Sequence, residues 1–362
     1  SRISIEELVS GFVQLKKAGR NFKGLCPFHG EKTPSFVVSP DKQLAYCFGC
    51  HKGGDIFKFI QEIERVEFPE ALKILSEKAG VKLEHHAFNP QDQDKKKNLV
   101  HAHDLAKHFY AKNLWESKEG ERVLAYVRDT RGFSDETIRA FNLGYTSAKP
   151  TALADFLMSK GFSANDLVDG GLVVKSNIAG ISVKDRFNNR LMFPIEDAHG
   201  TTIGFGGRAL EEGQEPKYLN SADSPLYNKS LVLYGFDRAR DEIRTQEKVV
   251  LVEGYMDVLR CHEKGITNAV ATCGTALTAQ QAKNLARFSE TVVFFFDGDN
   301  AGRQAAERGF PIAQEAGLHV KVLCPPREHD PDSWLRDDRD IVVEKLKEAG
   351  DFFAFLFSTL KE

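Results

Sequence analysis

The stretch Val249-Val-Leu-Val-Glu253-Gly-Tyr-Met-Asp257 couples four buried-type residues to a glutamate, a glycine and an aspartate. Further on, Thr291-Val-Val-Phe-Phe-Phe296 runs in the same way into Asp297-Gly-Asp299-Asn-Ala-Gly302. Unbroken apolar runs of this kind suit strands covered on both faces, the environment of a parallel sheet packed between helices. Residues 269–271 and 320–323 supply two more such runs, and helical stretches alternate with all four. The pattern predicts a parallel α/β sheet over residues 247–334. Its acidic residues then lie at the carboxyl ends of strands, the edge where open α/β sheets bind ligands. His329-Asp-Pro-Asp332 follows the last strand at that edge. Carboxylates gathered there repel one another unless a cation neutralises them, and hard oxygen ligands favour Mg²⁺ or Mn²⁺. The chemistry expected is phosphoryl transfer assisted by one or two metal ions. The glycine between Asp297 and Asp299 is expected to let the backbone turn tightly enough for both carboxylates to converge.

Toward the amino terminus, residues 99–246 read as a mixed α+β region. It is rich in glycine, with β-like runs Arg190-Leu-Met-Phe-Pro-Ile195 and Thr202-Ile-Gly-Phe-Gly206. Residues 85–98 turn polar, with Asp94-Lys-Lys-Lys97, and are expected to be an interdomain linker. Residues 335–362 read as helices opening a C-terminal helical subdomain.

Residues 1–84 carry the strongest spacing signal. Cys26-Pro-Phe-His29 and Cys47-Phe-Gly-Cys50 offer four soft or borderline ligands in two knuckles, the set a tetrahedral zinc takes. Alternating residues at 35–38 and 43–46, with Ser39-Pro-Asp-Lys42 between them, predict the hairpin of a zinc ribbon. Four protein ligands leave no open position, so one structural Zn²⁺ is expected. Phe36, Tyr46 and Phe48 stand among Lys23, Lys32, Lys42 and Lys52. Such a mixture suits stacking of single-stranded bases, and equally suits rings packing the hairpin. Ser4-Ile-Glu-Glu7 is a capping box, and Asp55 caps a helix carrying Ile56, Phe57, Phe59, Ile60 and Ile63. A second helix is expected from Pro69.

The chain has 362 residues, room for two or three domains. Its 49 Lys+Arg against 52 Asp+Glu leave a formal charge of −3, which excludes a basic architectural protein. A hydrophobic share of 41% excludes global disorder. No run approaches the roughly 18 to 20 apolar residues of a membrane helix, and no secretory leader is evident. A soluble, cytoplasmic protein with no membrane partner is expected. Cys261, Cys273 and Cys324 lie scattered in apolar surroundings and read as small buried hydrophobes.

Taken in order, these motifs resemble the bacterial replicative DNA primases (the DnaG family). The Cys26 to Cys50 unit with Glu31-Lys-Thr-Pro-Ser-Phe36 is similar to their zinc-binding domain. Glu253 to Asp257, Gly274-Thr275 and Asp297-Gly-Asp299 with Ala301-Gly-Arg303 resemble the Toprim fold they share with topoisomerases and some nucleases. Phe205-Gly-Gly-Arg208, Pro216-Lys-Tyr-Leu-Asn-Ser221 and Lys229 resemble their polymerase-domain motifs. The resemblance implies a zinc ribbon, a mixed α+β subdomain, a Toprim-type α/β subdomain and C-terminal helices. It also implies synthesis of short RNA primers on single-stranded DNA template from ribonucleoside triphosphates. Glu253, Asp257, Asp297, Asp299, Asp330 and Asp332 would then form the Mg²⁺ or Mn²⁺ cluster, with Glu253, Asp297 and Asp299 catalytic. Glu253 remains open between metal binding and proton transfer. Arg131, Arg208, Lys217, Tyr218 and Lys229 would line the face holding template, primer or triphosphate. Family members usually continue into a domain that binds the replicative helicase, and that domain is expected to be absent here. His51 stands where the family often has glycine. The rival readings are a Toprim nuclease or topoisomerase-like enzyme, and a non-catalytic single-stranded DNA-binding module.

Overall fold

In the first of two units, Ser1–Asn89, Ser4 accepts the Glu7 N–H and starts the helix Ile5–Ser10, as its capping box predicts. The computed structural model describes residues 3–64, 66, 68–79, 90–177, 180–274 and 276–359. Five short strands follow: β1 (Lys16–Ala18), β2 (Asn21–Gly24), β3 (Phe36–Ser39), β4 (Leu44–Cys47) and β5 (Gly53–Gly54). They form one antiparallel sheet in chain order, with the expected hairpin at β3 and β4. Asp55 accepts the N–H groups of Phe57 and Lys58 and caps the helix Ile56–Glu64; Phe68–Lys78 is the next helix. Ile5, Leu8, Phe36, Val38, Phe59 and Ile60 make a small core that includes Cys26 and Cys47. A core this small needs a second source of stability.

The second unit, Pro90–Glu362, opens with the helix Pro90–Glu116. Residues 90–98 of the expected linker are therefore helical, while 85–89 lie outside the described residues. Leu99, Ala102, Ala106, Tyr110 and Leu114 recur at helical spacing and are all buried. Proline suits the first turn of a helix, and the polar residues that read as a linker lie on the turns ahead of this buried stripe. Lys95 is tied there to Asp169.

A four-stranded antiparallel sheet follows, from β6 (Gly144–Thr146), β9 (Arg190–Glu196), β10 (Thr202–Ala209) and β11 (Tyr218–Asn220), in the order β11-β10-β9-β6. A separate ribbon pairs β7 (Val173–Lys175) with β8 (Val183–Asp185). The predicted parallel sheet is β12 (Lys248–Val252), β13 (Ala269–Ala271), β14 (Thr291–Phe294) and β15 (His319–Val322), in the order β13-β12-β14-β15. Residues expected to open a helical subdomain instead complete this sheet. β16 (Gly350–Asp351) pairs antiparallel with β15, and Phe352 stacks on Phe310 at 3.9 Å. Helices Arg339–Lys347 and Phe352–Thr359 flank that strand.

One core joins the two sheets. Leu191 and Phe193 of β9, Val250 of β12, Phe295, Trp334 and Tyr255 all belong to it. Tyr255 stacks on Phe193 at 4.8 Å and passes so close to β10 that a Cβ on Gly206 would lie 2.3 Å from its ring. Gly206→Ala is therefore expected to cost about 1–3 kcal/mol by overpacking, read as a lower denaturant midpoint. An unchanged midpoint would show that the ring relaxes freely. Among the described residues, no helix is long and apolar enough to cross a membrane.

Candidate active site and zinc centre

Cys26, His29, Cys47 and Cys50 come together with their ligand atoms all within 4.8 Å of one another. Cys26 Sγ lies 3.8 Å from Cys50 Sγ, and His29 Nδ1 lies 3.8 Å from Cys47 Sγ. Backbone N–H groups point at the sulfurs: Phe28 donates to Cys26, and Gly49 and Cys50 donate to Cys47. Donors aimed at sulfur stabilise thiolates, and one Cys–His pair with one Cys–Cys pair, on two short loops, matches the closed tetrahedral set of zinc. The residues fit the ion.

Glu31 supports this centre in a way its spacing did not reveal. It accepts from the Cys26 and Ser35 N–H groups and the Ser35 hydroxyl, and lies 3.4 Å from His29 Nε2. The Ser35 hydroxyl and N–H hold its carboxyl below the usual range. An anion at Nε2 favours the tautomer that presents the Nδ1 lone pair inward. A carboxylate two residues after a histidine ligand was the available signal. His51, the departure from the family pattern, adopts φ 61°, where glycine is the strain-free residue. It bonds the Tyr46 hydroxyl and stands outside the ligand set. The aromatic residues divide: Phe36 is core, whereas Tyr46 and Phe48 are exposed, as are Lys23, Lys32, Lys42 and Lys52.

In the second unit, a cavity of about 730 Å³ opens at the carboxyl edge of the parallel sheet. Glu253, Asp257, Asp297, Asp330 and Asp332 line it. The parallel strands place them. Glu253 follows β12 directly, Asp257 lies in the first turn of the helix Tyr255–Glu263, and Asp297 closes the segment after β14. The Asp297 N–H donates to Glu253 Oε1 at 3.2 Å, and the Gly254 N–H donates to Asp257 Oδ2 at 3.0 Å. Burial raises the Asp257 carboxyl well above its ordinary value, helped by Asp297, Asp330 and Asp332. Asp297 is pushed up to about 7 by burial, with Glu253, Asp330 and Asp299 adding. Glu253 is raised as well, chiefly by burial. Such a set is strained as anions and fits a divalent cation.

Three of the six expected carboxylates have further partners. Asp299 is exposed, does not line the cavity, and caps the helix Asn300–Glu315 through the Gly302 N–H. Asp332 is buried, with one oxygen on Arg260 Nε at 2.8 Å and the other 3.4 Å from Arg131. Asp330 caps the helix Pro331–Asp337 through Oδ1. The Asp297 and Asp299 side chains thus do not both reach the cavity. Gly298 is also not at positive φ; a Cβ there would lie 2.5 Å from the Pro326 carbonyl, so close approach and not a tight turn requires it.

Arg131, Arg208, Lys217, Tyr218 and Lys229 all line the same cavity. Pairing of β10 with β11 sets Arg208 opposite Tyr218, and the Arg208 guanidinium lies over the rings of Tyr126 and Tyr218. Arg186 and Arg308 join this lining. Neither was legible, because Arg186 precedes β9 with no motif around it and Arg308 lies well inside a helix. Arg186 donates twice to the Asn220 carbonyl and fixes the end of β11. The Asn220 side chain takes the Tyr255 hydroxyl at 2.8 Å and donates to the Cys273 carbonyl. Cys273 itself lines the cavity, Cys261 is core as expected, and Cys324 is half-buried. Thr275 lies outside the described residues.

A four-ligand Cys/His ribbon and, in the second unit, a parallel sheet sharing one core with an antiparallel sheet define the fold class. The family models agree in order along the chain: CHC2 zinc finger over residues 1–91, DNA primase catalytic core N-terminal domain over 109–240, and Toprim-like over 250–335. The DNA primase of Geobacillus stearothermophilus is 43% identical over 339 residues, covering 92% of this chain and 56% of the relative. The crystal structure of the Aquifex aeolicus primase, zinc-binding and RNA polymerase domains, is 34% identical with TM-score 0.67, covering 99% of this chain and 86% of that one. A DnaG primase catalytic domain bound to ssDNA is 32% identical with TM-score 0.66, covering 74% and 84%. This chain belongs to the bacterial DNA primase family, the DnaG primases. It spans a little over half the length of the curated relatives it matches.

Proposed function

We propose that the chain synthesises short RNA primers on a single-stranded DNA template from ribonucleoside triphosphates. The observation that carries this reading is that carboxylates and cationic side chains converge on one cavity. The family supports it, and so does the relative solved with ssDNA. Arg131, Arg208, Lys217 and Lys229 would neutralise phosphates of template, primer or triphosphate, with the Tyr218 ring beside them. Glu253, Asp257, Asp297, Asp330 and Asp332 would hold Mg²⁺ or Mn²⁺, with Asp299 outside the cavity. A divalent ion bound there lowers the pKa of the primer 3′-hydroxyl and screens charge on the leaving pyrophosphate. Glu253 Oε1 accepts the Asp297 N–H, which fixes the carboxylate at the cavity edge.

The test is primer synthesis on single-stranded DNA with ribonucleotides and Mg²⁺ or Mn²⁺. Ladders of short RNA that need all three components are expected. DNA nicking without triphosphates would favour a nuclease, and DNA binding with no product would favour a non-catalytic module. Lys229→Ala is expected to weaken single-stranded DNA or triphosphate binding about ten-fold, the scale of one charged hydrogen bond, with the melting temperature unchanged. Unaltered affinities and activity would remove Lys229 from the site.

A further inference from the structure

Arg260 is an unusual residue to find in the middle of the helix Tyr255–Glu263: its side chain is 1% exposed. Its Nε donates to Asp332 Oδ1 at 2.8 Å, and its Nη1 donates to the Gly132 carbonyl at 3.1 Å and to the Glu263 carboxylate. Its Nη2 donates to the Arg131 carbonyl, and the guanidinium lies 4.1 Å over the Phe133 ring. One planar fork thereby grips residues 131–133, just after the π-helix Tyr126–Thr130, and also Asp332. The second oxygen of Asp332 lies 3.4 Å from Arg131 Nη2. Arg131 lines the cavity, and its Nε is buried with no hydrogen-bond partner among the described residues. A buried donor left unpaired beside a cleft marks a place for an acceptor. Buried ion pairs add little to stability over apolar packing; their best-attested use is to fix one geometry.

We propose that Arg260 is a positioning residue for the reaction in the cleft. It fixes the Arg131 backbone and the Asp332 carboxylate together, so that the Arg131 guanidinium faces the cavity ready for a phosphate group. The inference rests on the proposed primer-synthesis reading of the cleft. The phosphate belongs either to a nucleoside triphosphate or to the nucleic-acid backbone, and the two sources give different signatures.

The experiment uses the full chain with Mg²⁺ and compares Arg260→Lys, Asp332→Asn and Arg131→Ala. Lysine keeps the charge but loses the fork. The probes are a labelled single-stranded oligodeoxynucleotide and ribonucleoside triphosphates. For a triphosphate contact, each variant should raise the triphosphate KM roughly ten-fold with DNA affinity unchanged. For a backbone contact, DNA affinity should fall by that factor, and the log–log salt slope by about 0.7. In both cases the Mg²⁺ concentration for half-maximal rate should hold in Arg260→Lys. Arg260→Lys should add nothing in the Arg131→Ala background, because it acts through Arg131. If Arg131→Ala changes neither affinity, the reading of the cleft is at fault. If Arg131→Ala weakens binding and Arg260→Lys does not, the clamp is overturned. Loss of cooperative melting in both Arg260→Lys and Asp332→Asn would show a purely structural cluster and overturn it too.

Discussion

Asp297→Asn is expected to lower primer synthesis by at least about a hundred- to a thousand-fold while the chain stays folded. The side chain lies among Glu253, Asp330 and Asp299, in a site that raises its pKa to about 7. Asparagine keeps the shape and removes both the negative charge and a strong metal ligand. Losing transition-state charge stabilisation of about 3 to 4 kcal/mol gives that factor in rate. Stability should move the other way. A carboxyl whose folded pKa lies above its unfolded value of about 3.9 stabilises the fold fully below that value and loses the contribution as pH rises through the folded pKa. Metal-free wild type should therefore lose ground from about pH 4 to pH 7 relative to the Asn variant, which has no such slope. Primer yield, and denaturant midpoints at pH 5 and pH 8 without metal, decide it. Near wild-type activity, or an activity loss that merely follows unfolding, would sink the assignment.

The second large effect is expected in the zinc centre. Cys47→Ser combined with Cys50→Ser removes half the ligand set, and wild type should carry one zinc per chain against none in the variant. Structural zinc contributes about 10–16 kcal/mol in small peptides, more than a core built around Phe36, Phe59 and Ile60 supplies by itself. Residues before about 80 should then become sensitive to protease, while the unit from Pro90 onward keeps its own cooperative melting. A full complement of zinc in the double variant would refute the ligand assignment.

The parts of this protein that were legible in sequence are those where one chemical need dictates several residues at fixed spacing. Four zinc ligands in two pairs, and strands that are apolar until their last turn, read directly because burial and ligation leave few alternatives. The helix beginning at Pro90 was hidden because its first turns are polar, and its buried stripe begins only at Leu99. The antiparallel strand at Gly350 was hidden because two residues carry no period. Within the site, the basic and acidic residues of the expected motifs reach the cavity, apart from Asp299. The division of labour among carboxylates was not legible, since Asp330, Asp332 and Asp299 look alike until their partners are seen. Arg260 lies on a helix where arginine reads as a solvated cation, and only the fold shows it buried among acceptors from residues far away in the chain.

The Tyr255 ring lodged beside Gly206, with its hydroxyl on Asn220, makes the two walls of the cleft parts of one solid. A hinge between them would have to empty that notch and break the shared core, and packed interiors do not flex continuously. In a polymerisation cycle of the proposed kind, advance by one nucleotide therefore falls to the ligand: the growing duplex slides lengthwise through a groove of fixed width. A groove that does not shut on its occupant retains it by surface charge, so residence on the template should shorten steeply as salt rises.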